Sequence, residues 1–143
     1  MILISHRGNL SGPNPELENN PKYILDAYNA GFNVEIDVWS WDNKFYLGHD
    51  EPQHIVDWRF LTKTGLWCHA KNFEALVLLK KYAANCFWHD RDDHTLTSSG
   101  YIWTYPGKPY GLKSIVVCTT LENTKVLQKE NLHGICSDYV GVL

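Results

Sequence analysis

Glu35 and Asp37 stand two apart in the run Asn33-Val34-Glu35-Ile36-Asp37-Val38, and a strand sends residues at that spacing out of one face. Val34, Ile36 and Val38 then occupy the other. Two like charges are costly to bury unless something positive neutralises them, and a divalent cation does this most compactly. A strand with its acidic face in water accounts for the same pattern without a site. Two histidines lie close by in the chain. Ser5-His6-Arg7-Gly8 follows the opening apolar run, and Leu47-Gly48-His49-Asp50 comes shortly after the acidic strand. Imidazole is the side chain suited to proton transfer near neutral pH, so a pair can divide the work of acid and base. Taken singly, each histidine reads more readily as a surface residue than as a catalyst.

Such residues need a framework, and short apolar runs alternating with helix-like segments give the pattern of parallel βα units. Strands are expected near Ile2–Ser5, Asn33–Val38, Leu66–Ala70, Asn85–Trp88, Tyr101–Tyr105, Ser114–Cys118 and Gly134–Ser137, with a short extra one at Phe45–Leu47. The first helix is marked by Asn20 as cap, Pro21 in the first turn, an apolar face of Ile24, Leu25 and Tyr28, and Gly31 at its end. A second is expected from Phe73 to about Ala84 behind Asn72. A third is expected after Thr119, whose spacing to Glu122 fits a capping box. Seven or eight mostly parallel strands alternating with helices predict an α/β fold of the TIM-barrel type, with reactive groups at the C-terminal strand ends. His6, Glu35, Asp37, His69, Lys71 and Asp138 all fall at or near such ends. The chain is shorter than the roughly 200 residues at the low end for this barrel. The expectation is therefore a compact or truncated barrel lacking some helices, or an incomplete one completed by a partner, with a homo-oligomer among the options.

The 143 residues predict a single domain over 1–143, with 44% hydrophobic and 20% charged residues as in an ordinary globule. A net charge of -3 without a basic stretch argues against a nucleic-acid partner. The opening Met1-Ile2-Leu3-Ile4 is too short for a signal peptide and no run is long enough to cross a bilayer, so a cytoplasmic location is the default expectation. Cys68, Cys86, Cys118 and Cys136 are widely spaced within apolar runs, which predicts free, buried thiols.

His6-Arg7-Gly8, Glu18-Asn19, Glu35-Ile36-Asp37 and His49-Asp50 occur in an order and spacing that resembles the glycerophosphodiester phosphodiesterase family. The resemblance is clearest over residues 2–52 and has a weaker echo at Gly134-Ile135-Cys136-Ser137-Asp138. It implies a TIM-barrel enzyme that hydrolyses a small-molecule phosphodiester with a bound divalent metal, usually magnesium or calcium. Phosphatidylinositol-specific phospholipase C and the sphingomyelinase D-like phospholipases are more distant members of the same group. Carried onto this chain, the resemblance implies His6 and His49 as catalytic, Glu35 and Asp37 as metal ligands, and Arg7 as a phosphate contact. Glu18 matches an acidic residue that serves as metal ligand or supports one.

The family's Glu-x-Lys motif on the third strand is here His69-Ala70-Lys71. Lys71 can still neutralise a phosphate oxygen. Imidazole in place of carboxylate removes a charge, and as a metal ligand His69 would move the preference towards manganese, zinc or iron. The insertion usual after the second histidine is missing. The charged run His89-Asp90-Arg91-Asp92-Asp93-His94 reads mainly as a solvated loop, with His89 or Asp90 as candidate substrate contacts. Trp39, Trp41, Trp103 and Tyr105 are expected mainly in packing. A barrel that binds a phosphorylated ligand without turnover and a lipid phosphodiesterase are the alternatives. Lipid substrates would call for an exposed apolar rim.

Overall fold

The residues that alternate along each strand sort into two apolar faces, and that sorting organises the fold. A computed structural model describes residues 1–143. In chain order the elements are β1 (Ile2–His6), α1 (Pro21–Asn29), β2 (Asn33–Trp41), β3 (Lys44–Leu47), β4 (His54–Val56), α2 (Trp58–Leu61) and β5 (Leu66–Ala70). They continue with α3 (Phe73–Lys81), β6 (Cys86–Phe87), β7 (His94–Leu96), β8 (Ile102–Thr104), β9 (Ser114–Cys118), α4 (Leu121–Leu127) and β10 (Gly134–Ser137). The Asn20 side chain accepts from the Lys22 N–H and Pro21 opens α1, as expected. Asn72 caps α3 by accepting from the Ala75 N–H. The cap of α4 is Thr120 rather than Thr119, and it accepts from the Asn123 N–H.

All ten strands form one curled sheet. Nine-residue β2 is its centre. It pairs in parallel with β1 through Glu35 and with β5 along Val34–Val38, then turns its far end to antiparallel β3. β1 continues through parallel β10, β9 and β8, and β7 and β4 lie antiparallel at the two ends of that path.

This is a mixed sheet curled into a half-barrel, not the TIM-type barrel expected from the strand pattern. Only four short helices are present. Arg91–Gly100 and Pro106–Lys113 hold turns and strand β7 where a barrel needs helices. Pro106 and Pro109 with Gly107 and Gly111 interrupt any helix there. The pairings end at β6 on one side and at β7 beyond β8 on the other, so the parallel strands do not close on themselves.

Outside the curl, Val34, Ile36 and Val38 of β2 and Leu66, Cys68 and Ala70 of β5 pack on Ile24 and Ala27 of α1 and Leu78 and Leu79 of α3. Each buried Val, Ile or Leu contributes about 1.5–3 kcal/mol relative to exposure. Inside the curl, Ile4, Trp67, Phe87, Trp103, Ile115 and Cys136, one from each of six strands, form a second apolar cluster. Successive inward residues on a strand are two apart. The next layer up from this cluster is therefore His6, His69, His89, Tyr105, Val117 and Asp138, with Glu35 and Asp37 beside them on β2. The apolar cluster is thus a floor, and the chemistry-bearing side chains stand on it. Cys68, Cys86, Cys118 and Cys136 are all free and buried. No helix is long and apolar enough to cross a membrane.

Candidate metal centre

Glu35 and Asp37 lie on the concave face of β2, essentially excluded from water, and their register partners on β5 are Trp67 and His69. Nδ1 of His69 is 3.3 Å from Asp37 Oδ1 and 3.7 Å from Glu35 Oε1. The three groups offer ligand atoms that all lie within 4.8 Å of one another. Two ligands on one small divalent ion, each at about 2.1 Å, stand at most about 4.2 Å apart, so the two measured separations suit a shared ion.

The hydrogen bonding around this triad is incomplete in a way that a cation completes. His69 Nε2 lies 2.9 Å from the backbone carbonyl of His89. A carbonyl only accepts, so Nε2 carries a proton, and Nδ1 is the ring nitrogen turned towards both carboxylates. Glu35 Oε2 and Asp37 Oδ1 are buried and accept no hydrogen bond. Two carboxylates and one imidazole nitrogen converging at these separations form a donor set that a metal ion can take, and the His89 carbonyl is the outer partner that orients such an imidazole.

Asp37 is held from every side. Asn19 donates from Nδ2 to Asp37 Oδ2 and accepts the Asp37 backbone N–H through its own side-chain oxygen, both at 2.9 Å. Arg7 Nε stands 3.0 Å from Oδ2, and Lys71 Nζ is 3.8 Å from Oδ1. Burial opposes ionisation of Asp37, but the contact with His69 and the charges of Arg7, His69 and Lys71 outweigh it and hold the carboxyl well below the usual carboxylate range. Glu35 moves the other way. Burial and then repulsion from Asp37 raise its pKa against the pull of His6, Arg7 and His69. Four carboxylates, Glu18, Glu35, Asp37 and Asp138, surround two permanent cations, Arg7 and Lys71.

His6 ends β1 and is oriented by Asp138, with Nδ1 2.8 Å from Oδ1, while Nε2 is 3.8 Å from Glu35 Oε2. Asp138 also accepts from Asn9 Nδ2 at 2.8 Å. Burial disfavours charge on His6, but the Asp138 hydrogen bond and Glu35 together raise its pKa. Glu18, a candidate metal ligand in the sequence, instead spends both oxygens on Arg7 Nη1 and Asn9 Nδ2. Its place is behind Arg7. Arg7 and Gly8 both have left-handed backbone, with φ +55° and +96°. A Cβ on Gly8 would come within 2.6 Å of the Tyr23 ring, so the tight turn that presents Arg7 requires glycine.

A cleft of about 430 Å³ lies over these groups, lined among others by His6, Glu35, His49, His69, Lys71 and His89. His49 therefore shares the cavity, yet its imidazole is 44% exposed and is paired only with Asp50, at 2.8 Å. From the charged run after β6, His89 and Asp90 line the cleft while Asp92, Asp93 and His94 face solvent. The His89 ring stacks on His69, and burial first, then the His69 charge, lowers its pKa. Trp103 packs on Phe87 in the floor, and Tyr105 forms part of the wall.

Asn19 was not singled out as a functional residue from the sequence, although it holds Asp37. It sits at φ +62°, which Asn tolerates better than most residues. Asn19→Gly keeps that backbone accessible and removes both hydrogen bonds. It is expected to lower cation affinity roughly 10–100-fold and stability by about 1–3 kcal/mol. Asn19→Ala adds about 1–2 kcal/mol for the left-handed backbone. Calorimetric titration with Mn²⁺ and thermal unfolding read the two effects, and unchanged affinity in Asn19→Gly would remove the clamp from this account.

Fold and site together define a strand-rich mixed-sheet half-barrel with a buried carboxylate–imidazole triad suited to a cation. The chain matches no protein-family model and no curated protein.

Proposed function

We propose that the protein is a metal-dependent phosphodiester hydrolase. The observation that carries this reading is the convergence of Glu35, Asp37 and His69, with ligand atoms within 4.8 Å of one another, flanked by Arg7 and Lys71 in one cleft with His6 and His49. A binding site for a carboxylate or a neutral sugar has no use for both a divalent cation and two adjoining side-chain cations. A phosphodiester passing through a more negative transition state uses all of them. When bound, the cation supplies Lewis-acid polarisation of a non-bridging phosphate oxygen.

The residues of the chain do the rest. Arg7, locked by Glu18 and Asp37, and Lys71 hold the remaining phosphate charge. Asp138 fixes the His6 tautomer by accepting from Nδ1, which leaves Nε2 for proton transfer, and Asp50 does the same for His49. One imidazole takes a proton from water or a substrate hydroxyl as its oxygen bonds to phosphorus. The other gives a proton to the departing alkoxide as the second P–O bond breaks, so that a phosphomonoester or cyclic phosphate and an alcohol leave. His6→Ala is expected to lower kcat by about 10²–10⁴-fold with the fold intact, in a screen of divalent ions against glycerophosphodiesters and aryl phosphodiesters. No turnover with any ion, or turnover indifferent to both His6→Ala and His49→Ala, would make this a binding protein instead.

The ligand set bears on which ion. Two carboxylates with one imidazole suit Mn²⁺ or Zn²⁺ better than Mg²⁺ or Ca²⁺, which prefer oxygen alone. His69→Glu is expected to shift the preference at least tenfold towards Mg²⁺ or Ca²⁺ in competitive titration. An unchanged preference would take His69 out of the coordination sphere.

A further inference from the structure

Helix α3 carries apolar side chains on two faces. Ala75, Leu78 and Leu79 are buried in the cluster formed with β2 and β5. Phe73, Leu76, Val77 and Lys80, three and four apart, share the other face, where Phe73 is 68% exposed and Val77 is exposed as well. Beside this ridge runs a shallow groove of about 590 Å³, lined by Leu76 and Lys80 on the helix side and by Trp88 and Leu96 on the strand side. The groove exists because β6 is followed by turns and three-residue β7, where a regular βα unit would lay a helix beside α3. Trp88 and Leu96 are both exposed, Leu96 at 71%. Thr95, Thr97 and Ser98 also line the groove. Their hydroxyls are already bonded to the Trp88 carbonyl, Ser99 Oγ and the Ala84 carbonyl, so covering them with apolar surface strands no polar group.

We propose that this face is the interface of a twofold dimer of the chain, in which the two α3 helices lie antiparallel and each seats its Phe73–Val77 ridge in the groove of the other copy. The occupant is identified by the charge order along α3, with Glu74 in the first turn and Lys80 and Lys81 in the last. An antiparallel pair centred on Val77 sets Glu74 against Lys80 of the second copy, and Phe73 against its Lys81. A parallel pair would set Glu74 on Glu74 and lysine on lysine. An isologous interface requires a surface that complements itself under a twofold rotation, and this helix face does so. Glu74 accepts from the Ser40 hydroxyl and the Asn43 N–H through Oε1, which anchors the side chain and leaves Oε2 for a lysine. Exposed ion pairs add little affinity. They select the antiparallel arrangement, and burial of Phe73, Val77, Trp88 and Leu96 supplies the attraction. The face lies on the outer wall of the sheet, so the dimer stands whether or not the cleft cleaves a phosphodiester.

Sedimentation equilibrium of the full chain, from micromolar to hundreds of micromolar, tests the proposal. The expected result is a reversible species of twice the 16.5 kDa chain mass. Val77→Glu puts two like charges on the twofold axis at an exposed helix position, and is expected to weaken the dimer roughly thirtyfold or more with the circular dichroism spectrum unchanged. Ile55→Asp, on exposed β4 at the opposite end of the sheet path from β7, is expected to leave the dimer intact. Val77→Cys gives a readout that needs no loss of association. With oxidised glutathione it is expected to link two copies through a disulfide across the axis, seen on a non-reducing gel, whereas Ile55→Cys is not. A monomer at every concentration would leave the face to a partner of another sequence and overturn the proposal. A dimer indifferent to Val77→Glu, a dimer dispersed by Ile55→Asp, or cross-linking of Val77→Cys no greater than that of Ile55→Cys would overturn it equally.

Discussion

Asp37→Asn is expected to abolish cation binding and cation-dependent turnover, and to destabilise the cation-free protein by about 3–5 kcal/mol, the usual result of removing one partner from a buried ion pair. The carboxylate is fully buried and is the one group that Arg7, Lys71, His69 and Asn19 all face. An amide of the same shape keeps the volume and loses the charge, so Arg7 retains only Glu18. The loss in affinity should exceed the roughly 10–100-fold that follows removal of an outer hydrogen-bonding partner. Calorimetric titration with Mn²⁺ and denaturant unfolding without cation read the two parts separately. Wild-type stability in Asp37→Asn would mean that the charges of Arg7 and Lys71 are balanced elsewhere.

Glu35→Gln is expected to act in opposite directions on the two measurements. Burial and the Asp37 charge raise the Glu35 carboxyl above its ordinary value. A carboxyl with a folded pKa above its unfolded one opposes folding whenever it is ionised in the native state, so at neutral pH the cation-free protein carries strain at this residue. A neutral isostere removes it. The variant should unfold at a higher Tm than wild type without cation, yet lose the stabilisation by Mn²⁺ expected of the wild type. Such a trade-off is typical of a site kept for chemistry. A Glu35→Gln protein that is less stable than wild type without cation, or is still stabilised by Mn²⁺, would contradict the assignment of Glu35 as a ligand.

Much of this site could be read from strand periodicity. Glu35 and Asp37 share the concave face because side chains alternate along β2, and His69 reaches them because β5 runs parallel to β2 in a register that sets Asp37 beside it. Asp138 follows the same rule two residues beyond Cys136. Glu18 escaped it. Its role depends on how the loop between β1 and α1 folds back, with Asn19 in left-handed backbone, and no periodicity encodes that. The His89 carbonyl that orients His69 is a backbone atom and leaves no trace in residue type.

The overall architecture was less legible, for a related reason. Parallel strands were placed correctly at Leu66–Ala70, Ser114–Cys118 and Gly134–Ser137, since buried apolar runs announce themselves. The three-residue strands His54–Val56 and His94–Leu96 carry no such run and lie antiparallel at the sheet ends. Closure of a sheet depends on pairing between distant strands, and β6 has only two residues with which to make it. A count of strands therefore overstated the barrel.

The central claim is that Glu35, Asp37 and His69 hold one divalent cation. Anomalous diffraction from crystals grown with Mn²⁺ tests it most directly. The account predicts a single strong peak within about 2.0–2.4 Å of an oxygen of Glu35, an oxygen of Asp37 and Nδ1 of His69. No peak there at saturating Mn²⁺, or a peak bound by other residues with the triad unchanged around empty space, would contradict it.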